Sequence, residues 1–317
     1  MQRTPPLSET ATCRYGKAAI EKAAELILAG QPVAVPTETV YGLAADARDS
    51  AAVAAIYAAK GRPSFNPLIV HVDSLAMAQR LADFNAVAER LARRFWPGPL
   101  TMVLPVRPDS GLSPLVTAGL PTVAIRLPAH RAMRDLIAAS GAPLAAPSAN
   151  RSGSISPTTA AHVRASLGGR IPLIVDDGET ERGLESTIVA PEVDRLRLLR
   201  PGPIAPAALE EAAGLPVVAA NGGTIEAPGQ MTSHYAPSKP VRLNAAAPEA
   251  DEYMIGFGAI RGDDSLSERG DLDEAAARLF AALYRADAAP QPRIAIAPIA
   301  ADGIGLAIND RLKRAAA

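Results

Sequence analysis

The sequence predicts an α/β fold in two parts, and three observations carry that prediction. Through about residue 215, stretches with apolar residues at helical spacing alternate with short β-branched runs. A Gly/Pro/Ser-rich segment without periodicity occupies 221–240, and beyond it the alternation resumes in a shorter strand–helix–strand–helix unit. The length, 317 residues, suits two domains better than one. The chain therefore divides into a larger unit 1–220, a connecting segment 221–240 and a small unit 241–317.

In order, residues 17–29 carry Ile20, Ala24, Ile27 and Leu28 on one helical face and stop at Gly30. Residues 32–35 form a short strand that runs into the polar Pro36-Thr37-Glu38-Thr39. A helix over 51–59 ends before Lys60-Gly61-Arg62-Pro63, where Gly and Pro forbid continuation. Strands at 68–72 and 102–106 are separated by helices at 75–82 and 87–95. The β-branched strand 122–127 carries Arg126. Helix 132–139, strand 143–146, helix 158–167 and strand 171–175 follow, then strands at 186–189 and 196–199 and a short helix at 207–213. In the small unit, strands 253–257 and 293–297 alternate with helices 271–286 and 304–314, which favours a parallel sheet.

Composition narrows the function classes. Thirty-two Lys and Arg against 33 Asp and Glu give a net charge of −1, which excludes a general polybasic nucleic-acid binder but leaves room for a local basic groove. The single Cys13 excludes a disulfide framework and a cysteine metal cluster. Residues 1–14 lack the apolar core of a signal peptide, and no long apolar run follows, so a cytoplasmic protein is expected. Lys60 is the only lysine between Lys22 and Lys239 in a chain that otherwise uses Arg for positive charge.

No phosphate loop, dinucleotide-binding glycine motif, nucleophile elbow or H-E-x-x-H is present. The strongest cluster is Lys60 to Leu68: in an extended loop Lys60 and Arg62 point to one side and suit a polyphosphate. Prolines stiffen that loop and lower the entropy lost on gripping a ligand. A second cluster, Pro147-Ser148-Ala149-Asn150 with Ser152 to Pro157, lies between a strand and a helix and suits an anion cradle at a helix N-terminus. A third, Pro36 to Leu43, could line an amino-acid pocket, and Arg126 and Arg200 lie in apolar strands where an unpaired charge is costly. Each also has a plainer structural reading as a capped turn, a solvated charge pair or a buried ion pair. His130 and His162 read as surface positions, His71 ends a strand and His234 lies in the connecting segment. No two histidines have ligand spacing, and Asp176-Asp177-Gly178-Glu179 reads as a solvated turn, so no protein metal site is expected.

Taken in order, these segments resemble the threonylcarbamoyl-AMP synthase family with its YrdC-like catalytic domain. The likeness runs through the segment from Pro36, the K-x-R loop at Lys60, N-P-L-I-V-H from Asn66, the strand at Arg126, S-A-N at Ser148, E-S-T-I at Glu185 and L-R-P-G at Leu199. His234-Tyr235-Ala236-Pro237 and the C-terminal stretch from Gly305 to Leu312 resemble the long form of the family. The resemblance implies a twisted mixed sheet with flanking helices and a small Rossmann-like C-terminal domain. It implies an enzyme joining L-threonine, bicarbonate or CO2 and ATP, with Mg2+ arriving on the ATP, into L-threonylcarbamoyladenylate and pyrophosphate. Separate transferase proteins would then place the threonylcarbamoyl group on tRNA. By resemblance, Thr39, His71, Arg126 and Ser186 face threonine. Lys60, Arg62, Asn66, Thr122, Ser148, Asn150, Ser156, Arg200, His234 and Tyr235 surround ATP, with Lys60 and Arg62 as the catalytic cations. His234 and Tyr235 would close over the nucleotide as a lid. The rival expectation is an RNA-binding module with a local basic groove and no nucleotide turnover.

Overall fold

The computed structural model describes residues 9–220, 226–230 and 234–317. Positions 1–8, and 221–225 and 231–233 of the expected connecting segment, lie outside the described residues.

A large sheet takes β1 (Ala11–Arg14), β2 (Val33–Pro36), β3 (Tyr41–Asp46), β4 (Ile69–His71), β5 (Leu100–Pro105) and β6 (Thr122–Arg126). It continues with β7 (Leu144–Ala145), β8 (Leu173–Asp176), β9 (Thr187–Pro191), β10 (Leu196–Arg200) and β11 (Val217–Ala219). The spatial order is β1-β8-β2-β3-β7-β4-β6-β5-β9-β10-β11, with parallel and antiparallel neighbours mixed. Around it lie α1 (Lys17–Leu28), α2 (Ser50–Lys60), α3 (Leu75–Leu81), α4 (Ala86–Phe95), α5 (Pro114–Thr117), α6 (Arg131–Ser140), α7 (Ala160–Leu167) and α8 (Pro206–Ala213). A second sheet, β12 (Val241–Arg242), β13 (Glu252–Gly256), β14 (Asp264–Ser265) and β15 (Arg293–Ile296), is parallel throughout, in the order β12-β15-β13-β14. Two helices accompany it, α9 (Leu272–Ala288) and α10 (Gly305–Ala315). The expected α/β architecture, a mixed sheet plus a smaller parallel one, is borne out.

Local chemistry sets the element boundaries. Asp49 caps α2 by accepting from the amides of Ala51 and Ala52, Asn85 caps α4, Thr159 caps α7 and Asp271 caps α9. β2 is buried along its whole length, which is why it reads as a continuous apolar run. Apolar faces of α1, α2, α4 and α6 join these strands in one core, through Ile27, Ile56, Leu91 and Leu136. A second core crosses between the two sheets: Val40, Ile155 and Leu184 pack with Leu279, Phe280 and Leu312.

The structure corrects several expectations. The helix expected to stop at residue 59 runs through Lys60 and ends on Gly61 in the left-handed conformation (φ 61°). Lys60 and Arg62 are therefore joined by a helix C-cap and not by an extended loop. The expected anion cradle does lie between a strand and a helix, β7 and α7, but Ser148 and Asn150 are ten or more residues ahead of the helix start at Ala160. Strands β1, β3, β11, β12 and β14 and the helix α5 were not anticipated. Among the described residues no helix is long and apolar enough to cross a membrane.

Candidate active site

Strands β4, β6 and β10 run in one direction, and their last residues are His71, Arg126 and Arg200. His71 and Arg126 are register neighbours. Ser186, just before β9, reaches the same edge: its Oγ lies 2.7 Å from Thr101 Oγ1 and accepts from Arg200 Nη2 at 3.1 Å. Loops over this edge complete a cleft lined by Thr37, Thr39, Arg62, His71, Arg126, Ser148, Glu185, Ser186, Arg200, Gly229, His234 and Tyr235, among others. Ligand sites at the carboxyl ends of strands are the rule for open α/β sheets.

At one end, Arg126 is held by three neighbours and keeps Nη2 without a hydrogen-bond partner. Its Nε donates to Gly98 O (3.2 Å), Nη1 donates to Thr39 Oγ1 (2.9 Å), and Nη2 stands 2.6 Å from Glu38 Oε1 in a buried ion pair. Burial pushes the Glu38 carboxyl up, but the Arg126 charge and hydrogen bonding, with backbone amides, outweigh it and hold it below its ordinary value. His71 is pushed down to about 3, chiefly by burial and then by Arg126, so it is a neutral imidazole, and its Nδ1 is buried without a hydrogen-bond partner.

The other end is cationic. Lys60 is 3% exposed, Arg62 8% and Arg200 4%. Lys60 Nζ donates to Ser148 O (2.6 Å) and Asn150 O (2.5 Å), with Asn150 Oδ1 at 3.3 Å. Burial and then Arg62 push the Lys60 ammonium down, while three carbonyl oxygens around Nζ are acceptors that only an ammonium fully satisfies. Arg62 donates to Asn66 O and Pro67 O and is lowered to about 10, by burial first. Arg200 is likewise lowered by burial and donates through Nε to Ser186 O (3.1 Å). His234 sits among these charges: burial, then Arg62, Lys60, Arg200 and Arg311, push it down to about 2. Its Nδ1 is buried and unpartnered, as is Tyr235 Oη, which lies beside Arg200 without hydrogen-bond geometry.

Of the sequence-predicted residues, Thr39, Arg62, His71, Arg126, Ser148, Ser186, Arg200, His234 and Tyr235 line the cleft. Lys60, Asn66 and Asn150 stand one layer behind it as braces, and Ser156 donates to Glu185 Oε1 (2.5 Å). Thr122 is four residues from Arg126 on the same face of β6, about 13 Å up the strand, and does not line the cleft. Expected surface residues His130 and His162 are half-buried, because His130 caps α6 and His162 stacks on Tyr284 at 3.9 Å. Sequence reasoning missed Glu38, Glu185 and Arg311 as site residues. For Arg311 a signal existed: it shares helical spacing with Ile304, Ile308 and Leu312, on the face that is buried.

Comparison with known proteins agrees with this geometry. Residues 25–202 match the Sua5–YciO–YrdC family, described as "Telomere recombination", and residues 204–317 match "Threonylcarbamoyl-AMP synthase, C-terminal domain". The threonylcarbamoyl-AMP synthase of Bacillus subtilis is 42% identical over 94% of this chain and 92% of its own length. The chain belongs to the threonylcarbamoyl-AMP synthase family. The Pyrococcus abyssi family member is 41% identical over 93% of each chain. Its Sua5 crystal structure complexed with L-threonine matches with a TM-score of 0.88, at 38% identity over 97% of both chains. The rival RNA-binding expectation does not fit: the family's cations here are buried in a cleft and do not form an open groove.

Proposed function

We propose that this chain forms L-threonylcarbamoyladenylate and pyrophosphate from L-threonine, bicarbonate or CO2 and ATP. The observation that carries this reading is a buried cleft with two unlike ends. Lys60, Arg62 and Arg200 gather at one end with unpartnered His234 and Tyr235 atoms, a setting that suits a triphosphate. The other end pairs Arg126 with Glu38 beside Thr39 and neutral His71, a setting that suits a zwitterionic amino acid with a hydroxyl.

The threonine amine adds to CO2 and loses a proton, giving the carbamate. A carbamate oxygen then attacks the α-phosphorus, and the bond to the bridging oxygen breaks as pyrophosphate leaves. No protein nucleophile is needed; positioning and cationic stabilisation of the leaving charge do the work. Arg62 and Arg200, with Lys60 behind them, hold phosphate oxygens. Thr39, His71, Arg126 and Ser186 orient threonine, whose carboxylate shares Arg126 with Glu38. His234 and Tyr235 form the roof that excludes water from a labile adenylate. The cleft carboxylates Glu38 and Glu185 are already engaged by arginines, so this donor set fits Mg2+ carried on the phosphates of the substrate, not caged by protein. The product suits transfer by separate proteins to a tRNA adenosine.

Pyrophosphate release with ATP, threonine and bicarbonate omitted in turn tests the reading. Each omission is expected to abolish release. Release that persists without threonine overturns it.

A further inference from the structure

Arg311 lies on α10, in the part of the chain built on the second sheet, yet its side chain is 0% exposed and ends beside the cleft. Its Nε donates to Glu185 Oε2 at 2.8 Å, Nη2 donates to Pro201 O at 3.1 Å, and Nη1 pairs with Asp310 at 2.6 Å. The guanidinium carbon sits 5.0 Å from the centre of the Tyr235 ring. Glu185 in turn takes the Ser156 hydroxyl on its other oxygen and lines the cleft next to Ser186.

A glutamate in the wall of an anion site is electrostatically wrong for that site unless something cancels it. Buried, its charge also needs a partner. Arg311 supplies that cancellation from the other sheet, and the same guanidinium fixes the ring of Tyr235. If the pair were only glue between two halves, apolar residues of similar volume would serve as well or better. Its position on the cleft wall and under the Tyr235 ring gives it a second task.

We propose that Arg311 is a positioning residue for ATP, neutralising Glu185 at the cleft wall and bracing Tyr235 over it. This rests on the reading of the cleft as a nucleotide site. Arg311 touches no reacting atom; it acts through Glu185 and Tyr235. The Arg311 side chain thereby braces the ATP end of the cleft, and its hydrogen bonds go to Glu185, Pro201 and Asp310 and not to Thr39, His71 or Arg126.

The test uses the full chain and reads binding of a non-hydrolysable ATP analogue and of threonine separately by calorimetry, with pyrophosphate release alongside. Arg311→Met is expected to weaken the analogue about tenfold or more and to leave threonine affinity within about twofold. Adding Glu185→Gln is expected to recover most of the loss, because the unpaired carboxylate is then gone. A purely structural role would weaken both ligands together and would not be rescued. An Arg311→Met protein with unchanged analogue affinity, or no recovery in the double variant, overturns the proposal. If Arg311→Met does not fold, Arg311→Lys carries the test: analogue affinity is expected to fall severalfold with threonine unchanged, and no fall overturns it. A wild-type chain that binds the analogue but releases no threonine-dependent pyrophosphate refutes the proposed reaction and leaves the Arg311 comparison decisive. A wild-type chain that does not bind the analogue overturns both.

Discussion

Lys60 is distinctive in the composition, as a lysine kept where the chain otherwise uses arginine, and in the structure, as an ammonium held by three carbonyl oxygens. Those acceptors converge on a point donor, and a planar guanidinium on a different stem does not reproduce that arrangement. The side chain is buried, so a longer replacement has no solvent to turn into. Lys60→Arg is therefore expected to lower threonine-dependent pyrophosphate release by about a hundredfold, the scale on which a displacement of about 1 Å in the groups that position a substrate costs rate. Turnover like that of the wild type would show that only the charge matters. At this scale, the cations were legible because they interrupt apolar strands or stand out in composition. Their partners were not. Glu185 and Arg311 are 126 residues apart, and no one-dimensional pattern announces such a pairing.

Elements with strong apolar runs or periodicity, such as β5, β6 and α9, were legible because their burial is written in residue type. β3 was not, since Gly42, Ala44 and Ala45 have little intrinsic strand preference; pairing with β2 and β7 makes it a strand. The end of α2 shows the same limit at finer grain. Gly61 caps it at φ 61°, its amide returns to Ala58 O and the Arg62 amide to Tyr57 O, and the turn sends Lys60 and Arg62 into the site. A Cβ at Gly61 would meet nothing within 4 Å, so the cost of Gly61→Ala is backbone strain alone. We expect a loss of about 1 kcal/mol in urea unfolding, with the fold retained. A variant as stable as the wild type, or one losing several kcal/mol, would show that this turn is set by something other than the left-handed cap.

At the scale of the whole molecule, the two sheets share an apolar core and close over one cleft, so the contact between them belongs to the site. Gly183 is one place where they approach closely. It is left-handed (φ +66°), and a Cβ there would stand 2.3 Å from Ala277 O and 2.5 Å from Ala276 O, both backbone atoms of α9. No rotamer change relieves such a clash, so the whole helix must move. The next residue, Leu184, is fully buried in the shared core with Phe280 and Tyr235, and Glu185 follows it. Gly183→Ala therefore strains the backbone, prises α9 away and disturbs the Arg311–Glu185 pair in one step. We expect a loss of about 3 kcal/mol, combining left-handed strain with overpacking, and a melting temperature several degrees lower. ATP-analogue affinity is expected to fall with it. Gly61→Ala serves as the control, a left-handed glycine with open space around it. If Gly183→Ala melts no lower than that control, α9 does not bear on the segment that carries Glu185, and the coupling between the two halves must run elsewhere.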